Sequence, residues 1–375
     1  MKLLMISGDR SLAEGKRGAF YNTLEEFHKY WERIDIICPH VRNSKLEIQN
    51  YFHNVKIHPS PWPLWLQPWW ILKKGREIYR EQKFDLMTVH EYPPFYNGIG
   101  ARWLWNKIRT PYVLEIHHIP GYPKAAGFKE WLYKIATHFF IKYDTVKAKA
   151  VRVVNRHQVP EFLIKSGVPK EKITYIPSMY VDLDIFKPTG VEKKYDLIFV
   201  GRLAKNKGID LLLEAASKLE TQIPNFKLLI VGIGPFIHFL KFKIENLKLQ
   251  DSVLLYGWAK DSAEVADMLN QSKVLIMPSY NEGGPRVVLE AMACGVPVLA
   301  TPVGLVTDII KDGESGGVID WNPADISQKA LELLRDAGKY QKYLASSLEI
   351  ASRFEKQAAI KNYAEKLHKL GQIST

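Results

Sequence analysis

The stretch that decides the fold reads Val274-Leu-Ile-Met-Pro278-Ser-Tyr-Asn-Glu282-Gly-Gly-Pro-Arg286-Val-Val-Leu-Glu290-Ala-Met-Ala-Cys-Gly295-Val-Pro297. The apolar run 274–277 predicts a buried strand, Gly283-Gly284-Pro285 a tight loop, and 286–293 a helix with proline at its favoured place in the first turn. The leading N–H groups of that helix have no partner within it, so its start attracts anions. Glu282 and Glu290 bracket the loop. Carboxylates touching a phosphate would repel it, so these two suit sugar and ribose hydroxyls while backbone N–H groups from Gly283 to Arg286 take the phosphate. An anion site joined to hydroxyl acceptors fits a nucleotide-sugar.

Outward from this stretch, strands are predicted at 197–200, 228–231, 253–256, 298–300 and 317–319, alternating with helices over 208–219, 235–248, 261–270, 305–311 and 325–336. The first half repeats the alternation. Its strands fall at 3–6, 34–37, 56–58, 86–89, 113–117, 150–154 and 174–176, and its helices at 18–31, 71–82, 97–107, 128–147 and 157–166. Alternating β and α elements with short links predict parallel, doubly wound sheets. The fold class is therefore α/β, with two Rossmann-like doubly wound domains facing across a cleft. Residues 1–180 form the first, 181–194 a linker rich in turn residues, and 195–352 the second. An amphipathic helix over 353–375 ends the chain.

A chain of 375 residues with 46% hydrophobic and 25% charged residues is ordinary for two globular domains. Cys38 and Cys294 stand far apart and suggest no disulfide framework, which fits a cytoplasmic setting. The apolar run of MKLLMISGDR is too short for a signal peptide, and no stretch approaches a spanning helix. The net charge of +12 is uneven: residues 1–190 carry +11, and residues 101–170 alone hold 13 basic against 4 acidic residues. Such a field points to an anionic partner. The run Pro59-Ser-Pro-Trp62-Pro-Leu-Trp65-Leu-Gln-Pro-Trp69-Trp70 precedes Lys73 and Lys74. Its prolines argue against a regular helix, and tryptophan beside lysine suits a water–lipid boundary as well as a core cover.

Three further segments carry chemistry. Strand 197–200 runs into Gly201-Arg202-Leu-Ala-Lys-Asn-Lys207-Gly208, placing two cations at the carboxyl end of a strand, where doubly wound sheets bind ligands. Gly201 permits close backbone approach, and Arg202 and Lys207 are suited to neutralise a departing diphosphate. Strand 113–117 ends on His117-His118. Adjacent side chains on a strand diverge, which weakens a metal reading and leaves His117 for a hydroxyl hydrogen bond or proton transfer. Gly15-Lys-Arg-Gly18 lies between the first strand and a helix without forming the dinucleotide fingerprint. Asp182-Leu-Asp184, in the linker, reads as turn chemistry and not as a metal site.

GRLAKNKG (201–208), VGIGP (231–235), PSYNEGGPRVVLEAMACGVPVLAT (278–301) and KDGESGG (311–317) resemble retaining glycosyltransferases of the GT-B fold, glycosyl transferases group 1 (family four). PYVLEIHH (111–118) and VPKEKITYIPSMYVDLDIFKP (168–188) extend the resemblance over nearly the whole chain. It implies a nucleotide-sugar donor held mainly by the second domain, with Arg202 and Lys207 on the diphosphate and Glu290 on the ribose. Glu282 and the amides of Gly283, Gly284 and Arg286, around Pro285, would face the sugar and its phosphate. Gly18 would approach the diphosphate, His117 the reacting sugar, and the last helix would cross back onto the first domain. No metal or other cofactor is implied. The chain departs from the pattern at Met179-Tyr180, where Asn-Gly is usual, at Asp308, where glutamate is usual, and at Arg17-Gly18, where a glycine pair is common.

The expected activity is retaining hexosyl transfer to a glycan or lipid-linked acceptor in cell-envelope polysaccharide or glycolipid synthesis. The expected location is cytoplasmic, peripheral on the inner face of the membrane, with an anionic surface docked by the Trp62–Trp70 run and the basic 128–149 stretch. On the competing view Trp131, Phe139 and Phe140 are ordinary core residues. Alternatives at this stage are a nucleotide-sugar epimerase of the same architecture and a basic lipid- or RNA-binding module. Nucleic acid is not expected as a partner, because that module leaves Glu282, Glu290, Arg202 and Lys207 unexplained.

Overall fold

The computed structural model describes residues 1–41, 49–177 and 179–372. Two compact units divide the chain: residues 1–119, 132–178 and 357–375 form the first, and residues 120–131 and 179–356 the second.

In the first unit, eight described strands form one sheet: β1 (Lys2–Ile6), β2 (Arg33–Cys38), β3 (Gln49–Tyr51), β4 (Val55–Pro59), β5 (Leu86–His90), β6 (Tyr112–Ile116), β7 (Ala150–Val153) and β8 (Ile173–Tyr175). Their order is β3-β4-β2-β1-β5-β6-β7-β8, parallel except for the β3–β4 pair. Strand order reverses between β1 and β5, so the loops leaving these two strands start at neighbouring points on the carboxyl edge. The short β3 escaped sequence reading because its three residues carry no apolar run.

A buried ionic cluster ties the helix Lys356–Gln372 into this unit. Arg152 Nη1 lies 2.9 Å from Glu115 Oε1, and the Tyr363 hydroxyl donates to the same oxygen at 2.7 Å. The Arg152 guanidinium sits 3.9 Å over the Tyr363 ring, and its Nε donates to the Ile176 carbonyl. Burial alone would raise the Glu115 carboxyl, but Arg152 and His90 hold it well below the usual range. A buried charge lacking such partners would be costly, so the cluster fixes where the helix packs. Phe27 stacks on Tyr363 and Trp31 meets His368 edge-on along the same helix.

The second unit has six described strands: β9 (Tyr195–Val200), β10 (Leu228–Val231), β11 (Val253–Gly257), β12 (Ser272–Met277), β13 (Val298–Ala300) and β14 (Gly317–Val318). All pairs are parallel, in the order β11-β10-β9-β12-β13-β14. Alternate residues feed two cores. Leu197, Phe199, Val274 and Ile276 face one with the helices Ile209–Glu220 and Pro323–Arg335. Ile198, Leu275 and Met277 face the other with Arg286–Ala293. A sheet covered on both faces needs continuous apolar strands, and LIFV and VLIM supply them.

Several sequence expectations are corrected. A regular helix, Gln67–Glu81, begins inside the tryptophan-rich run, because Pro68 falls in its first turn where no N–H partner is needed. Trp131, Phe139 and Phe140 are exposed rather than core residues. A further helix, Ala337–Ser352, went unread. Its signal was Asp336, whose side chain accepts from the Lys339 N–H as an N-cap, and Gly338 in the first turn masked it. Asp182 and Asp184 do form a turn, with the Asp184 N–H donating to the Asp182 carboxylate.

Two buried acids in the first unit crowd Gly98, where a Cβ would collide with both Glu91 and Asp144. Neither Asp144 carboxyl oxygen has a hydrogen-bond partner among the described residues. Burial, against the opposing pull of Arg102, pushes Asp144 up from 3.8 to about 8, and burial with Asp144 beside it pushes Glu91 well up. The folded state thus keeps a proton that the unfolded chain releases near pH 4. Stability is full below that value and falls as pH rises towards 8, by at most about 1.4 kcal/mol per pH unit for each proton retained. Asp144→Asn should flatten this slope between pH 5 and pH 8, as read by urea unfolding at each pH. An unchanged slope would refute the assignment.

Candidate functional site

In the second unit, strand order reverses between β9 and β12, so their outgoing loops begin side by side at the carboxyl edge. Open α/β sheets bind ligands at such a point. The β9 loop carries Gly201, Arg202 and Lys207, and the β12 loop carries Glu282 to Pro285. The Tyr280 N–H donates to the Asn206 carbonyl at 2.8 Å, joining the two backbones. Gly208 has φ +64, and a Cβ there would collide with the Pro278 carbonyl. A Cβ on Gly304, at φ +54, would likewise strike the Gly283 carbonyl, to which the Leu305 N–H donates at 3.0 Å. Only glycine lets the loops after β9, β12 and β13 pack this closely.

The ammonium of Lys207 contacts Glu282 Oε1, and the Ser279 hydroxyl donates to the same oxygen at 3.1 Å. Both charged side chains are largely buried. Arg202 is exposed and pairs with no carboxylate among the described residues. The structure thus joins Lys207 to Glu282 and leaves Arg202 at the solvent boundary.

The helix Arg286–Ala293 follows Pro285, and neither a capping side chain nor an acid occupies its start. Its first N–H groups therefore suit an anion. Arg286 lies 4.4 Å over the Tyr180 ring, and Met179 packs against Gly284. Met179 and Tyr180, which stand where the family pattern has Asn-Gly, thus support the Gly-Gly-Pro loop. One turn on, Glu290 is closely surrounded by protein. Burial pushes its carboxyl up to about 7, against the opposing pull of Arg286.

Sequence reading missed the support given by residues 120–131, which it had placed in the first domain. Asn281 Nδ2 donates to the Lys124 carbonyl at 3.1 Å and to Glu130 Oε2 at 2.8 Å. Lys124 lies 4.9 Å from the centre of the Trp321 ring, whose Nε1 donates to the Ser279 carbonyl at 2.9 Å. The segment has no hydrophobic period, so only long-range contacts could assign it.

In the first unit, His117 follows β6. Burial, with His90 and Arg152 nearby, pushes it down to about 3, so it is neutral at physiological pH. A neutral imidazole can accept or donate a hydrogen bond but cannot supply an imidazolium proton. His118 is exposed. His90, at the end of β5, was not singled out, although it ends a strand as His117 does. Its Nε2 lies 2.8 Å from Glu115 Oε2, its Nδ1 lies 3.3 Å from the Ser7 hydroxyl, and its ring meets His117 edge-on at 5.2 Å. Ligand atoms of His90, Glu115 and His117 lie within 4.8 Å of one another, a group able to hold a metal. Arg152 already balances the Glu115 charge, which lowers the attraction for a cation. Gly18 caps the helix Ala19–Phe27 with an extended backbone, and a Cβ there would meet nothing nearer than Ser11 Oγ at 4.0 Å. Local packing does not demand glycine at this position.

A family model described as glycosyl transferases group 1 matches residues 181–349, and one described as glycosyltransferase family 4 matches residues 20–180. A putative colanic acid biosynthesis glycosyltransferase of Escherichia coli is 28% identical, over 66% of this chain and 68% of its own. An uncharacterized glycosyltransferase of Methanocaldococcus jannaschii is 31% identical, over 70% of this chain and 69% of its own. Among solved structures, sucrose-phosphate synthase of Thermosynechococcus elongatus superposes with a TM-score of 0.82 at 18% identity, covering 100% of both chains. HepE of Anabaena in complex with UDP-glucose gives 0.76 at 19% identity, covering 98% of this chain and 100% of the other. Likeness at such identity shows the fold.

The close loop packing makes a direct prediction. Gly208→Ala should cost at least about 1–3 kcal/mol, from the left-handed backbone and the clash with Pro278. Urea unfolding followed by tryptophan fluorescence measures it, and a loss near zero would contradict the packing.

Proposed function

Because the chain belongs to the group 1 glycosyltransferases and carries their two-domain GT-B fold, we propose that it moves a sugar from a nucleotide-diphosphate-sugar to a glycan or lipid-linked acceptor with retention of configuration. The observation that carries this reading is the Lys207–Glu282 contact at the strand-order reversal, beside an uncapped helix start. One group of charges serves the departing diphosphate and the other the sugar hydroxyls.

The donor C1–O bond breaks and the electron pair leaves with the diphosphate. Lys207, Arg202 and the amides from Gly283 to Arg286 stabilise that growing charge. The acceptor oxygen bonds to C1 on the same face, and its proton passes to the leaving phosphate oxygen. Glu282 orients Lys207 and accepts from a sugar hydroxyl, and Glu290 accepts from the ribose. Gly201 and Gly18 leave room for the diphosphate, and neutral His117 hydrogen-bonds a sugar hydroxyl. No metal is needed in this scheme, which chelation before assay would test. Family membership favours transfer over the epimerase and RNA-binding readings.

The colanic acid enzyme and the UDP-glucose complex among the similar proteins support a UDP-sugar and polysaccharide or glycolipid synthesis as the working assignment. No helix among the described residues is long and apolar enough to cross a membrane. The partner proposed for the first unit is the anionic inner face of the membrane, met peripherally from the cytoplasm.

UDP-glucose serves as the first probe, in a thermal-shift panel with other nucleotide-sugars followed by acceptor-dependent UDP release. Lys207→Ala should lower the transfer rate by roughly a hundredfold or more while leaving the melting temperature within a few degrees. Full turnover in that variant would sink the assignment. Glu290 gives a second test. A ribose hydroxyl donates better to the ionised carboxyl, so UDP-glucose affinity should rise as pH increases through about 7. Glu290→Gln should bind more weakly and lose this rise in calorimetric titrations from pH 6 to pH 8.

A further inference from the structure

The helix Gln67–Glu81 buries Trp70, Ile71, Gly75 and Ile78. Its outer face therefore presents Trp69, Lys73, Arg76 and Arg80, at spacings of three and four residues. With Trp62 and Leu72 these residues line a recess of about 350 Å³. The one acid on its wall, Glu77, is paired with Lys74 at 2.7 Å, so three cations face the recess without an equal opposing charge. Lys73 lies 5.5 Å from the centre of the Trp62 ring. Cations set over an aromatic wall suit a phosphate ester with an apolar body attached.

The surface around the recess fits the same ligand. Trp65 and Trp69 are 65% and 56% exposed, far more than a core cover would be. Trp69 meets Trp103 edge-on at 5.0 Å, on the helix Tyr96–Ile108. From that helix Arg102 lies 3.8 Å over Tyr143 and donates to its carbonyl, while Phe95, just before it, stacks on Phe140. Contacts thus link three helices, the third being Phe128–Thr145, on which Phe139 and Phe140 are exposed and Lys142 lies between Phe140 and Tyr143 in sequence. Exposed rings interspersed with cations suit a bilayer interface, where rings sit at the headgroup level and cations meet phosphates.

We infer that the recess of Trp62, Trp69, Lys73, Arg76 and Arg80 holds the phosphate headgroup of an anionic lipid, with Trp65 and Trp69 inserted at the acyl boundary. This rests on the membrane reading proposed above and gives it a position and a ligand. The recess selects the phosphate, the tryptophans supply a salt-independent anchor, and the Phe139–Tyr143 surface broadens the contact.

The test uses the full chain and co-sedimentation with vesicles of phosphatidylcholine, alone or with one third phosphatidylglycerol, at low and high salt. Thermal unfolding and the UDP-glucose-induced shift serve as controls for folding. The unaltered chain should bind the phosphatidylglycerol vesicles and release with salt. Lys73→Gln/Arg76→Gln/Arg80→Gln should weaken that binding by roughly a hundredfold, at about 1 kcal/mol per charge. Trp65→Ala/Trp69→Ala should weaken it at both salt levels. If the unaltered chain stays in solution at low salt, or binds the neutral vesicles equally well, the membrane reading and this inference both fail. If the triple variant binds as the unaltered chain does while the tryptophan variant is lost, the recess is refuted and the membrane reading stands. Displacement of the chain from vesicles by single-stranded RNA would overturn the lipid assignment.

Discussion

The reversal of strand order between β9 and β12 is the constraint on which the second unit's chemistry depends. Two adjacent parallel strands whose connections run to opposite sides leave their outgoing loops together at one edge. That topology brings Lys207 to Glu282 across 75 residues of sequence. The interlocking glycines hold the two loops at backbone contact, and the Tyr280–Asn206 hydrogen bond fixes their register. Charge placement therefore depends on backbone packing, and a side chain in the wrong glycine position would displace the charged groups as a pair.

The first unit repeats the principle with different chemistry. Its reversal lies between β1 and β5, and the groups collected there are Ser7, His90 and, on and just after the next strand, Glu115 and His117. Burial, with His90 and Arg152 nearby, keeps His117 neutral, while Arg152 and His90 keep Glu115 ionised against its burial. A neutral ring over a satisfied ion pair is suited to recognising hydroxyls.

Much of this architecture is legible in the sequence. Apolar runs such as LIFV and VLIM are buried on both faces and carry no polar interruption, so their strands stand out. Pro285 and the glycines mark the loops, and the spacing of Glu282 and Glu290 follows directly from one helical turn beyond the loop. What sequence could not show depends on partners far along the chain. His90 acquires meaning only when β5 and β6 pair, and Asn281 only when it meets Lys124 and Glu130. Exposure also escaped reading. Phe139 and Phe140 look like core residues by type, yet the helix carrying them turns them outward. The prolines of the tryptophan run misled for the opposite reason, since Pro68 occupies the one part of a helix that tolerates it.

The placement of Tyr363 has a consequence for biosynthesis. Glu115 and Arg152 are made early, yet the phenol that completes their cluster emerges from the ribosome only after residues 179–356 have been synthesised. The nascent amino-terminal portion must therefore wait, with its innermost cluster incomplete, while the intervening residues are made. Maturation of this polypeptide departs from the usual order in which the part translated first is finished first. A ribosome stalled before codon 363 would hold an amino-terminal portion still lacking its last strut.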